Sequence, residues 1–304
     1  MDQPSPPTSN TTEIQPSGWS LEEILRMGLG VFLRRFLVLV APAFFAFTSL
    51  SLVDIAFTAL LGTTTGSAHV AIWWGKWMAV TTAGMVCGGA AIGAGGCAVF
   101  RDLSGQDAGL AAILRGTWKK IAPLSMGTFL YHVAVLAPAL PGFGMFWWSM
   151  KFSMEQRVLP AMGCILGGGL LLYYPLRLFL QMILFAFVVT EEGKGGWAAL
   201  LRSRELMRMR CAGGVTGNNM FRVFVVLHVS LMPALVVLFA ACIPLVMLCV
   251  VYSMDQLLGD IRGHHISLAY LILQALNIVV MTLIVPMFVV PLAVIYQDIR
   301  RRRG

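Results

Sequence analysis

This sequence predicts an all-α integral membrane fold with six transmembrane helices, and three observations predict it. The chain is too apolar for a soluble globule. Of its 304 residues 58% are hydrophobic and 12% charged, at a mean hydropathy of +0.80, where soluble domains run at about 45–50% and about 25%. The apolar residues come in blocks long enough for the roughly 20 residues that a bilayer core requires. The basic residues concentrate in alternate loops, the distribution that orients membrane helices.

The blocks place spans near 36–61, 71–100, 121–141, 158–190, 218–252 and 266–297, with Pro286 and Pro291 expected to bend or break the last. Several exceed the minimum length, so tilt or extension beyond the bilayer is expected. Of the 22 Lys and Arg residues, 17 fall before the first span, in the second-to-third and fourth-to-fifth links, and in the tail. Four (Lys76, Lys151, Arg157 and Arg262) fall in the other links, and Arg177 alone lies within a span. Both termini are therefore expected on the cytoplasmic side. Trp73, Trp74, Trp77, Trp147 and Trp148 then fall at the outer interface, where indoles are favoured. This split also gives the net charge of +8 a plainer origin than nucleic-acid binding, and no nucleic-acid partner is expected. Residues 1–18, rich in Pro, Ser and Thr, are expected to form a disordered cytoplasmic tail without signal-peptide features. Residues 19–304 form a single membrane domain.

An internal repeat subdivides that domain. Glu22-Glu23-Ile24-Leu25-Arg26 recurs as Ala111-Ala112-Ile113-Leu114-Arg115 and as Ala198-Ala199-Leu200-Leu201-Arg202, at spacings of 89 and 87 residues. Each copy is followed by a basic junction (Arg34-Arg35, Lys119-Lys120, Arg222) and then an apolar helix. Each returning helix ends near an acid: Asp102, Glu191-Glu192 and Asp298. Three units follow, over about 19–106, 107–193 and 194–304. Each comprises an amphipathic surface helix, an outward span, a short outer link and a return span. In the first surface helix Leu21, Ile24, Leu25, Leu29, Phe32 and Leu33 share a face, and Ser20 with Glu23 has capping-box spacing. Such helices lie in the membrane interface, pack on the cytoplasmic ends of the bundle, or do both.

Beyond periodicity, the stretch Glu191-Glu192-Gly193 through Trp197-Ala198-Ala199-Leu200-Leu201-Arg202-Ser203-Arg204-Glu205-Leu206 has a familiar pattern. With Tyr296-x-Asp298-x-Arg300 and Arg34-Arg35-Phe36, it resembles a broad bacterial family of six-helix proteins. That family is named for the membrane domain of glycerophosphoryl diester phosphodiesterases. Some of its members carry a fused soluble phosphodiesterase domain that holds the chemistry. Here every residue after 19 is assigned to helices or short loops, so the resemblance implies a membrane module in the bacterial inner membrane without phosphodiesterase activity.

Candidate chemistry is sparse. Five cysteines lie in apolar segments and Cys211 in a basic loop, which gives no disulfide framework and no zinc spacing. Gly84-x-x-x-Gly88, Gly89-x-x-x-Gly93 and Gly163-x-x-x-Gly167 have the spacing for close helix packing, and otherwise for a ligand groove. His264 and His265 with Asp255 and Asp260 form a polar outer loop rather than a metal site. Arg177 is the sharpest residue, deep in the fourth span at a cost of at least about 2.5–3.5 kcal/mol unless paired or wetted. Gln181 is expected to share its face and Asp54 to pair with it. Either these join His132 and His228 around one substrate or proton cavity, or Arg177 and Asp54 form a buried ion pair, which is the favoured alternative.

No catalytic constellation, cofactor or metal site is expected, so the sequence points to a non-enzymatic membrane scaffold or accessory subunit. Arg26, Arg115, Arg202, Arg204 and Arg208 would present a basic cytoplasmic face to anionic membrane lipids, to a protein partner, or to other copies in a homo-oligomer. The alternative is a transporter or lipid-handling permease with a polar path around Arg177.

Overall fold

The computed structural model describes residues 19–61, 66–106, 109–155, 157–209, 218–251 and 268–302. The expected disordered tail, the polar outer loop with His264 and His265, and Cys211 lie outside these residues.

Ten helices carry the described chain: α1 Leu21–Arg34, α2 Phe36–Leu61, α3 Gly66–Leu103, α4 Leu110–Trp118, α5 Ile121–Met154, α6 Val158–Met182, α7 Phe185–Glu192, α8 Gly196–Arg208, α9 Asn219–Val251 and α10 Leu268–Arg301. Six stretches are long and apolar enough to cross a bilayer: Phe36–Leu60, Val70–Leu103, Ile121–Met154, Val158–Glu192, Asn219–Pro244 and Tyr270–Arg301. By length and composition the chain is a multi-pass helical membrane protein.

Three spans depart from their expected course. The third continues past 141 to Met154 despite Pro138 and Pro141. An apolar helix surrounded by lipid has no other way to satisfy its backbone, so it carries on through the missing N–H groups. The last is likewise one helix through Pro286 and Pro291. The fourth is interrupted instead, at Ile183–Leu184 between α6 and α7. Ser203 of α8 bridges the break: its hydroxyl accepts from the Leu184 N–H (3.2 Å) and donates to the Gln181 carbonyl (3.0 Å). A side chain from a neighbouring helix thus completes backbone bonds that the hydrocarbon could not.

The long helices pair as hairpins, α2 with α3, α5 with α6 and α9 with α10. Helix α10 also packs on α2 and α3, and α3 packs on α5 and α7. Burial is one-sided. In α3 it concentrates at Ala91–Phe100, in α7 at Phe185–Thr190 and in α10 at Val289–Ile299, all at the ends expected in the cytoplasm. There the three returning helices converge on one aromatic cluster. Phe100, Phe187 and Tyr296 are buried with ring centroids 5.6, 5.8 and 5.9 Å apart, a spacing at which tilted and edge-on rings attract. Small residues allow the approach. A β-carbon on Gly95 would lie 2.8 Å from Val289 of α10, and one on Gly96 2.8 Å from Phe187. Outside this core the helices expose large apolar side chains, including Trp73, Trp74, Trp147 and Trp148. That surface suits contact with lipid.

The short helices sit on the buried end. Helix α1 packs on α10, α4 on α3, and α8 on α5, α6 and α7. Each buries an aliphatic side chain at the matching repeat position: Ile24, Ile113 and Leu200 are 0%, 2% and 0% exposed. Ser20 caps α1 in a complete capping box, with the Glu23 carboxylate accepting from the Ser20 N–H at 2.6 Å. Those bonds, backbone first and hydroxyl second, hold the Glu23 carboxyl below its ordinary pKa.

Candidate functional site

At the buried end, each basic junction reaches the end of the returning helix of its own hairpin. Arg34 and Arg35, where α1 meets α2, donate to the Asp102 carboxylate at the end of α3, both at 2.8 Å. Lys120, where α4 meets α5, donates to the Thr190 carbonyl in α7. Arg222, at the start of α9, pairs with Asp298 at the end of α10. The sequence separations are 67, 70 and 76 residues.

The third of these contacts is the most enclosed. Arg222 and Asp298 are 5% and 3% exposed. Asp298 also accepts from the Trp19 backbone N–H at 2.8 Å and from Arg302 at 2.9 Å. Arg222 donates in turn to the Trp19 carbonyl at 2.6 Å, and Arg301 lies 4.5 Å over the Trp19 ring. The entry to α1 is thereby clamped to the last helix. A buried carboxylate is tolerated on such terms, with charge and hydrogen bonds both supplied.

Glu191 and Glu192 join the rest of this belt. Arg300 pairs with Glu191 at 2.8 Å. Glu192 accepts from Arg202 at 2.9 Å, from Lys194 at 3.5 Å and from the Tyr296 hydroxyl at 3.2 Å. Gly193 follows in the left-handed conformation (φ 68°) that glycine adopts without strain, and so ends α7. Burial disfavours the charge on Arg202, but the bonds to Glu205 and Glu192 outweigh it and raise its pKa above the usual value.

The belt divides the five arginines expected to form a basic face. Arg202 is engaged by Glu192 and Glu205, and Arg204 donates to the Gln181 side chain at 3.1 Å. Both are therefore internal braces, because α8 is drawn onto the break in the fourth span. Arg26, Arg115 and Arg208 are exposed, and no side-chain hydrogen bond or ion pair joins them to another described residue. The short helices also expose apolar pairs one turn apart: Leu29 and Leu33 on α1, Leu114 and Trp118 on α4, Trp197 and Leu201 on α8.

The five groups expected around an intramembrane cavity are not brought together. Asp54 bonds to Lys76 at 3.0 Å, to Gln274 at 2.8 Å and to the Tyr270 hydroxyl. Thr58 completes the cluster, 2.7 Å from Lys76 and 3.1 Å from Tyr270. The expected Arg177–Asp54 pair is absent, since α2 packs on α3 and α10 while α6 packs on α5, α8 and α9. Arg177 is exposed and has no hydrogen bond or ion pair among the described residues, whereas Gln181 is 2% exposed and faces α8. His132 and His228 each turn a ring nitrogen to the carbonyl one turn back in their own helices, at 2.7 and 2.8 Å. Lys76, with Tyr270 and Gln274 one turn apart on α10, is the partner set that sequence reasoning missed. A lysine near the outer end of the second, returning span was the available signal.

Among the described residues no three His, Cys, Asp or Glu side chains gather as a metal site would require. No family model, curated protein or solved structure matches the chain. The chemistry of the belt and of the free cations therefore carries the functional argument alone.

Proposed function

We propose that this protein is a non-enzymatic scaffold of the bacterial cytoplasmic membrane, built of three units and seated on the anionic cytoplasmic leaflet by α1, α4 and α8. One observation carries the reading: each short helix is fixed from below by buried aliphatic packing, yet leaves exposed an apolar pair and a cation without a partner among the described residues, adjacent on α1 and α4 and two turns apart on α8. Exposed Leu and Trp next to Arg at the end of a membrane bundle suit the acyl boundary and the anionic headgroups above it. The three-unit division is supported by the matching burial of Ile24, Ile113 and Leu200 and by the three junction-to-return contacts. The same rim would receive a protein partner, and the dense polar belt beneath gives it a rigid base.

Extraction into native-lipid nanodiscs followed by mass spectrometry tests this. Wild type is expected to carry anionic lipid, or a stoichiometric protein, that the Arg26→Gln/Arg115→Gln/Arg208→Gln variant loses. Identical co-purification with both proteins would overturn the reading.

One observation favours transport as the second reading. Arg177 stands exposed and without a described partner inside a span, a costly position unless water or a phosphate reaches it. Solute or lipid movement across proteoliposomes that Arg177→Met abolishes without changing the unfolding midpoint would replace the scaffold with a permease.

A further inference from the structure

An apolar recess of about 310 Å³ lies between α1 and the α9–α10 hairpin. Its walls include Gly28 and Leu29 of α1, Val229 and Pro233 of α9, and Pro286 and Pro291 of α10. The hollow follows from these residues. Gly28 lets α1 cross α10 closely, since a β-carbon there would lie 3.6 Å from Pro291, and the recess opens beside that crossing. The wall is apolar but for the Ser230 hydroxyl, and no charged side chain enters it. A polar metabolite would therefore regain little of the hydration it gives up.

Hydrocarbon is the guest that suits such walls. Two of the three helices belong to candidate spans. The rim is open, with Leu29 and Val229 60% and 44% exposed. Arg26 follows Leu25 of the same wall, exposed and without a bond to another described residue, and supplies the positive charge that an anionic headgroup would meet. We propose that the recess holds one acyl chain of an anionic glycerophospholipid of the cytoplasmic leaflet, its phosphate on Arg26. This rests on the reading above that α1 lies in the interface. It goes beyond that reading in assigning a single, recessed lipid site rather than a charged surface.

The test uses the full chain in nanodiscs of equimolar phosphatidylglycerol and phosphatidylcholine, released into mild detergent for native mass spectrometry. Wild type is expected to retain one phospholipid per chain, phosphatidylglycerol over phosphatidylcholine. Val229→Trp, which fills the mouth from an exposed position, is expected to lose that lipid at an unchanged unfolding midpoint. Leu29→Trp repeats the test from the opposite wall. Arg26→Gln should keep one lipid but lower the preference for phosphatidylglycerol about fivefold, the effect of one cation beside an anionic headgroup. No retained lipid in wild type, or equal retention by both tryptophan variants, overturns the site. Arg115→Gln/Arg208→Gln separates it from the rim reading. If that variant leaves anionic enrichment of the disc unchanged while Val229→Trp still loses its lipid, the rim fails and the recess stands.

Discussion

At the residue scale, the pair Arg222–Asp298 shows how a charge is held within an apolar protein. Asp298 has two arginines and a backbone N–H, and Arg222 spends its second nitrogen on the Trp19 carbonyl. Arg222 and Asp298 are almost wholly shielded from water, at 5% and 3% exposed, so removing one leaves the other in a low-dielectric surrounding. Asp298→Leu is expected to cost about 3–5 kcal/mol of stability in mixed-micelle unfolding. Adding Arg222→Met should recover part of that loss, because the stranded charge goes with it. A double variant less stable than Asp298→Leu alone would show that Arg222 acts through packing. The Asp54 cluster is organised on the same principle with a different cast, Lys76, Tyr270, Gln274 and Thr58.

At the element scale, helix α3 is the seam of the molecule. Of the three small-residue pairs in the sequence, Gly89 and Gly93 face α5 closely: β-carbons there would lie 2.9 Å from Thr128 and 2.7 Å from Leu124. Gly88, one residue away, would meet nothing within 4 Å. The same spacing therefore marks a contact in one register and open surface in the next. Gly93→Ala is expected to destabilise by about 1–3 kcal/mol through overpacking against the buried Leu124. Gly88→Ala should fall within about 0.5 kcal/mol of wild type. Thermal unfolding in detergent compares the two directly, and equal effects would dismiss the seam. The break between α6 and α7 belongs to this scale as well. It is held by Ser203, so α8 braces a span as well as covering its end.

At the scale of the whole molecule, the core lies at one end. The returning helices meet at Phe100, Phe187 and Tyr296 and are tied there by acids and bases, while their far ends expose apolar surface. The closed end is thus the rigid one and carries the short helices. The basic loops predict a cytoplasmic position for this end, and labelling tests it. In cells producing Met154→Cys or Arg115→Cys in a chain whose native cysteines are replaced, an impermeant maleimide should label position 154 from outside. It should reach position 115 only after permeabilisation. Both sites are exposed in the structure. Labelling in the reverse order would invert the topology and move the basic rim to the outer face.

The sequence by itself determined that there are six long apolar stretches, with a short helix ahead of each hairpin, but not that the third runs on to Met154 or that the fourth is interrupted at Ile183–Leu184. Apolar block length is set by bilayer thickness, and a surface helix must show its polar side. It also named the junction bases and terminal acids that meet in the first and third units, because charges at span ends are few and conspicuous, but not that Lys120 would reach the Thr190 carbonyl while Glu191 and Glu192 took Arg300 and Arg202. Tertiary structure alone decided which faces touch. In a helix apolar all round, polarity cannot mark the buried side, since lipid tails are as apolar as leucine. For that reason the aromatic cluster, the division of the arginines into braces and free cations, and the separation of Arg177 from Asp54 were not legible in the sequence. Each depends on which helices are neighbours. That choice is made by fit between side chains distant in the chain, such as Gly95 against Val289 and Ser203 across the break in the fourth span.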